Sequence, residues 1–139
     1  MVILAVDLGK ARTGLAICDK DELLASPLGT VEDRNPDRLA EKIAEYAKER
    51  RAEMLVVGLP RNMDGTEGES AQNARIFAEH LKELCRLPVE MQDERGTTIT
   101  AHSFLNTTDT RGKKRKKVVD AVAATIILED YLNRRRNMR

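Results

Sequence analysis

The opening segment MVILAVDLGKARTG constrains the fold more than any other part of the chain. Val2 to Val6 is an unbroken apolar run rich in β-branched residues and bounded by a polar turn. Such a run reads as a buried central strand. Asp7 stands at its carboxyl end. Gly9 and Gly14 flank a tight connection that carries Lys10 and Arg12, and a second apolar run, Leu15 to Cys18, follows at once. A strand that ends in aspartate and turns back through glycines suits a metal ion or a phosphate. It equally suits a capped turn, and the rest of the chain has to decide between them.

Leu15–Cys18 is expected to pair antiparallel with the first strand. Leu23–Val31 supplies a third strand, placed at an edge or a strand start by Pro27. Asn35-Pro36 precedes a helix expected over Asp37–Arg51, whose apolar positions Leu39, Ile43, Tyr46 and Ala47 recur at helical spacing. Met54–Leu59 is a continuous apolar run, so a fourth strand parallel to the first is expected. The Gly-rich stretch GLPRNMDGTEGES then leads to a second helix with Ser70 as its N-cap and Ala71, Ala74, Phe77, Ala78, Leu81 and Cys85 as its buried face. Leu87–Met91 reads as a fifth strand that runs into Asp93, Glu94 and Arg95. Gly96–Ala101 suggests a short helix or turn, and Asn106–Lys117, which lacks a hydrophobic period, a mobile connection. Val118–Leu132 predicts a last helix, followed by the frayed tail NRRRNMR. Three strands in a meander followed by crossovers through helices predict an α/β domain with a mixed sheet.

Composition narrows the function. The 139 residues suffice for one core, so a single domain over 1–139 is expected. Tryptophan is absent and aromatics make up 3% of the chain, which argues against an aromatic stacking platform for nucleic acid. The net charge of +1 conceals a strongly basic region from Arg111 onward, which suits an anionic partner. Cys18 and Cys85 have no motif spacing and lie in apolar runs, so buried reduced thiols are expected. No apolar span of membrane length and no signal peptide is visible, and the expectation is a cytoplasmic protein with no membrane association.

Acidic residues fall at the ends of the expected elements: Asp7 on the first strand, Asp93 and Glu94 after the fifth, and Asp120 early in the last helix. At 100° per residue Asp120 shares a face with Ala123, Ala124, Ile127 and Tyr131. It therefore turns towards the sheet or its rim, where a carboxylate needs a partner or a metal. If the first and fifth strands both neighbour the last helix, these acids converge. Carboxylates without a histidine pair favour a hard cation, Mg²⁺ or Mn²⁺. His80 and His102 lack metal-ligand spacing and read as solvated or structural.

Four stretches carry a resemblance. AVDLGKARTGLA, VVGLPRNMDGTEGES, QDERGTT and KKVVDAVAATIILEDYL, in this order and across nearly the whole chain, resemble the YqgF/RuvX family of pre-16S ribosomal RNA nucleases and Holliday junction resolvases. The resemblance implies a ribonuclease-H-like fold with a five-stranded mixed sheet. It implies a metal-dependent endonuclease, with Asp7, Glu94 and Asp120 as catalytic and metal-binding residues and Asp93 as a further candidate ligand. Gly96 departs from the larger apolar residue usual after Asp-Glu-Arg. Related resolvases carry an acid on the fourth strand, where this chain has Gly58-Leu59-Pro60, so the acid has moved to the fifth. Beside such a site Lys10, Arg12 and Arg61 read as nucleic-acid contacts. Arg95 reads either as another or as a partner of Glu94 or Asp93. Lys113, Lys114, Arg115, Lys116 and Lys117 read as a sequence-independent phosphate clamp. The implied substrate is ribosomal RNA precursor, processed at the 5′ end of pre-16S rRNA, or branched DNA. Junction resolution would require a homodimer. A non-catalytic nucleic-acid or transcription-complex adaptor is a further reading. DLGKARTG also resembles the phosphate loop of actin- and sugar-kinase-like phosphotransferases, but those are built from two such domains and this chain has room for one.

Overall fold

The computed structural model describes residues 1–94 and 112–138, with side chains from residue 119 onward in the second segment. The elements run β1 (Ile3–Asp7), β2 (Arg12–Cys18), β3 (Ala25–Glu32), α1 (Pro36–Glu49), β4 (Met54–Leu59), α2 (Glu69–Cys85), β5 (Val89–Asp93) and α3 (Gly112–Asn137). The sheet order is β3-β2-β1-β4-β5. β1 pairs antiparallel with β2 and parallel with β4, and β4 pairs parallel with β5. The expected meander and both crossovers are present. β3 is an edge strand, as Pro27 suggested. The register slips there between Leu15 and Ala16, whose partners are Gly29 and Pro27.

Alternation along the central strands splits the core into two layers. Leu4, Val6, Leu55 and Val57 face α1 and α2 and pack with Leu39, Ile43, Phe77 and Leu81. Ile3, Ala5, Met54 and Val56 face α3 and pack with Ala124, Ile127, Leu128 and Tyr131. These central strands are buried on both sides, which explains their continuous apolar runs. The α3 face anticipated from helical spacing is the face that meets the sheet.

Several boundaries differ from expectation. α1 begins at Pro36, capped by the Asn35 side chain, which accepts from the Asp37 and Arg38 amides, and it ends at Glu49. α2 begins at Glu69 with Gly68 as its N-cap and no side-chain cap bond, so Ser70 lies inside the helix instead of capping it. β2 starts three residues earlier than its apolar run, because Arg12–Gly14 pairs with Thr30–Glu32. β5 is displaced two residues towards Asp93. The segment 112–117, expected as a mobile connection, has helical backbone within α3.

The C-terminal tail, expected to be frayed, is helical through Asn137. α3 continues to Asn137 because Arg135 forms a two-bond pair with Glu22, Nε donating at 2.7 Å and Nη2 at 3.2 Å. Arg136 donates to the Glu22 carbonyl at 3.1 Å. Glu22 is buried at the β2–β3 turn with φ +58° and also accepts from the Met1 amine at 3.0 Å. Cys18 is a buried free thiol, as expected, whereas Cys85, also expected to be buried, is a free thiol that is only partly buried. Among the described residues no helix is long and apolar enough to cross a membrane.

Candidate active site

Strand parity decides which acids can meet. Ile3 and Ala5 face α3, so Asp7, two residues on, continues that face. On β5, Val89 and Met91 pack against the α1/α2 layer, so Asp93 belongs to that layer and Glu94 to the α3 side. Met54 and Val56 place Gly58 on the α3 side as well. β4 therefore lies between the strands that carry Asp7 and Glu94, and at the crossing point it has no side chain.

That missing side chain is a structural requirement. A Cβ on Gly58 would stand 2.7 Å from Glu94 Oε2 and 2.7 Å from Ile127 Cδ1. Glu94, anchored by its amide to the Leu59 carbonyl at 3.1 Å, reaches across Gly58 to Asp7. Asp120 enters through a second glycine. A Cβ on Gly14 would collide with the Asp120 carbonyl, so α3 crosses β2 at backbone contact beside Asp7, whose ladder partner is Gly14. Gly9 is closed in the same way by the Arg12 carbonyl, which fixes the turn that carries Lys10 and Arg12.

The electrostatics follow from burial. Burial raises the Glu94 carboxyl well above the usual carboxylate range, and the neighbouring Asp7 charge raises it further. Burial also raises Asp7, offset by the hydrogen bond from Glu94. The raised values favour a protonated Glu94 beside Asp7, with Glu94 as donor and Asp7 as acceptor. Asp120 is raised by burial and lowered by Arg12, whose Nε donates to Oδ2 at 2.9 Å. Arg12, expected as a nucleic-acid contact, is thus tied to one of the acids.

Asp93 turns to the other layer, with Arg61 Nη1 3.8 Å from its Oδ2, although its charge is close enough to raise the Glu94 carboxyl a little further. Arg61 Nε lies 3.5 Å from Glu67 Oε2, and Glu67 accepts two bonds from Arg75 at 2.8 Å each. The loop from Arg61 to Glu67 is braced internally: Asn62 accepts from the Gly65 amide and donates to the Thr66 carbonyl, each at 2.8 Å, and Gly65 takes φ +90°. Lys10 is exposed. Arg95, Gly96 and His102 lie outside the described residues, as do the side chains of Lys113, Lys114, Arg115, Lys116 and Lys117.

Asp7, Glu94 and Asp120 all line one open cleft of about 990 Å³ at the carboxyl end of the sheet, together with Lys10 and Arg61. Crevices outside the carboxyl ends of strands are where open α/β sheets bind ligands. Among the described residues no three His, Cys, Asp or Glu side chains stand close enough to hold a metal ion as a ready-made set. Asp7 and Glu94 face each other, and Asp120 is turned to the Arg12 guanidinium.

A family model described as RuvX, Holliday junction resolvase, matches residues 1–134. The chain belongs to the RuvX family. RuvX relatives named "Putative pre-16S rRNA nuclease" include one from Chloroflexus aurantiacus, 41% identical over 98% of this chain and 89% of its own length. Another, from Rhodopirellula baltica, is 43% identical over 92% of this chain and 74% of its own. Among solved structures, Thermus thermophilus RuvC in complex with a Holliday junction substrate superposes with a TM-score of 0.62 at 15% identity, covering 99% of this chain and 96% of that one. The Fowlpox virus resolvase in complex with Holliday junction DNA gives 0.58 at 12% identity, covering 96% and 98%. These likenesses establish the ribonuclease-H-like fold for this RuvX chain.

Proposed function

We propose that this RuvX chain is a metal-dependent endonuclease that hydrolyses phosphodiester bonds in structured nucleic acid, and that it processes the 5′ end of pre-16S rRNA in ribosome biogenesis. The observation that carries the reading is the Asp7–Glu94 carboxyl pair, partly buried, brought together across Gly58 and open to a cleft on the face that also presents Asp120. Carboxyl oxygens gathered at one cleft fit a hard divalent cation, which would take the place of the proton between them. The names carried by the relatives support the substrate.

Mg²⁺ or Mn²⁺ would be held by Asp7 and Glu94, with Asp120 as the third ligand, and would supply an activated water and charge stabilisation at the phosphoryl group. The chain's own residues do the rest. Arg12 orients Asp120. Lys10, exposed at the rim beside Asp7, receives a phosphate. Arg61 fixes Asp93 and the loop after β4, which shapes one wall of the cleft. The basic run Lys113–Lys117 is the electrostatic clamp, with Arg95 as a further contact. Asp93 is the weaker ligand candidate, since it faces the other layer.

The family description and the RuvC fold favour junction resolution as the second reading. Two symmetric cuts need a homodimer. Purified wild type and Asp7→Asn, incubated with Mg²⁺ and either precursor rRNA or a four-way DNA junction, separate the cases. Asp7-dependent cleavage at the 5′ end of the RNA supports the first reading. Paired cuts on the junction by a species of dimeric mass support the second. Equal cleavage by wild type and Asp7→Asn removes the site assignment.

A further inference from the structure

The cleft is much longer than the acidic centre requires. From Asp7 and Glu94 it continues between α1 and α2, where its wall changes character. Asn73, Ile76, Phe77 and His80 recur at i, i+3, i+4 and i+7, so they form one stripe along α2. Leu39 of α1 lies opposite. Ile76 is 69% exposed, a large apolar side chain left open to solvent beside a polar site. The apolar α2 face buried in the core, Ala71, Ala74, Ala78 and Leu81, does not account for it.

The charges at this end are largely matched within the protein. Asp33 accepts from Arg38 at 3.1 Å and from Lys42 at 3.0 Å. His80 Nε2 faces Asp37 Oδ1 at 3.7 Å and closes the far end. What remains facing the cleft is the exposed Arg34 and an apolar patch centred on Ile76, flanked by an amide and an imidazole. A bare phosphate would use the cation and leave the patch uncovered. A nucleotide uses both, its phosphate meeting Arg34 and its base bringing a flat apolar face and a hydrogen-bonding edge to the patch. A base inside a duplex hides both, so the occupant is unpaired.

We propose that the α1/α2 end of the cleft is a subsite for one unpaired nucleotide of the substrate strand, its base lying on Ile76 and its polar edge read by Asn73 and His80. The occupant follows from continuity with the acidic centre, and in that respect the proposal rests on the nuclease reading. The nucleotide sits on the strand being cut, a short distance from the scissile phosphate. Its sugar is ribose or deoxyribose, which the experiment distinguishes.

The test is fluorescence anisotropy of a short labelled single strand, in ribo and deoxyribo forms, without divalent metal. Wild type is compared with Ile76→Glu and Asn73→Ala. Both positions are exposed, and unchanged melting temperatures verify the fold. Each variant is expected to weaken single-strand binding roughly tenfold, the low end of what a base stacked on an aromatic side chain contributes. In a series of strands with one abasic position, one position should abolish the difference between variant and wild type. Whichever sugar form shows the effect identifies the substrate class. Equal binding by wild type and both variants, no binding by wild type, or an undiminished variant effect across the whole abasic series overturns the subsite. Cleavage of the same strands in Mg²⁺ is scored separately. Cleavage with unaltered variant binding defeats the subsite alone, whereas variant-sensitive binding without cleavage defeats the nuclease reading alone.

Discussion

Gly58 is the residue on which the acidic centre turns. Its hydrogen leaves the gap through which Glu94 reaches Asp7, and a methyl group there meets both Glu94 and Ile127 at 2.7 Å. Gly58→Ala should displace the Glu94 carboxyl and cost about 1–3 kcal/mol of stability, the range for a methyl forced into a packed site. Cleavage should fall by at least an order of magnitude while circular dichroism and a cooperative melt persist. An active, fully stable Gly58→Ala protein would show that Glu94 does not depend on this gap. The carboxyl pair predicts a pH effect of defined sign. Both groups have folded values above their unfolded ones, so the folded state binds extra protons. Their favourable contribution is complete below the ordinary carboxyl range and is lost as pH rises through the raised values. Metal-free Asp7→Asn should therefore be more stable than wild type at pH 8, by about 1 kcal/mol or more, and should lose this advantage near pH 4. Thermal melts at the two pH values in chelator measure it directly.

At the scale of elements, α3 is held at its carboxyl end by an ion pair that the sequence conceals. NRRRNMR looks like a charged, fraying tail, because charge runs usually face solvent. It is helical through Asn137 because Glu22 lies buried at a turn more than a hundred residues earlier in the chain and needs cationic donors. Hydrogen bonds from Arg135 and from the Met1 amine pull the Glu22 carboxyl down to about 2. A depressed carboxyl contributes stability above its unfolded value, and that contribution disappears as pH falls through the folded one. Glu22→Gln should cost about 2 kcal/mol at pH 7, between the ranges for exposed and fully buried pairs. The difference should vanish towards pH 2, as denaturant melts along a pH series would show. Other elements are legible in the chain. The doubly buried strands announce themselves as unbroken apolar runs, and the α2 and α3 faces appear at helical spacing. Ser70 resembles a cap because its hydroxyl suits that role, whereas the helix begins one residue earlier on Glu69, with Gly68 at the cap and no side-chain bond.

For the whole molecule, the topology can be read from the chain, and the acids stand out as candidates because Asp7 and Glu94 fall at strand ends and Asp120 lies on the sheet-facing side of α3; the choice of three among them comes from the family resemblance. Their interplay cannot be read from the chain. Whether Glu94 or Asp93 meets Asp7 depends on strand parity and on an intervening strand without a side chain. The Arg12–Asp120 pair joins residues brought together only by the packing of α3 over β2. The basic run Lys113–Lys117 belongs to this scale too, as the proposed electrostatic clamp on nucleic acid. Replacing its five cations with Gln should flatten the slope of log affinity against log salt by about 0.7–0.9 for each phosphate no longer neutralised, with little change in sequence preference. The central claim is that Asp7, Glu94 and Asp120 form the hydrolytic centre, with Glu94 as the acid supplied from the end of β5. The most direct measurement compares the Mg²⁺-dependent cleavage rate of Glu94→Gln with that of Asp93→Asn on one nucleic-acid substrate. The account predicts that Glu94→Gln loses at least about 100-fold, on the scale of losing a catalytic group, while Asp93→Asn stays within a few-fold of wild type. A Glu94→Gln protein that cleaves at the wild-type rate would contradict it.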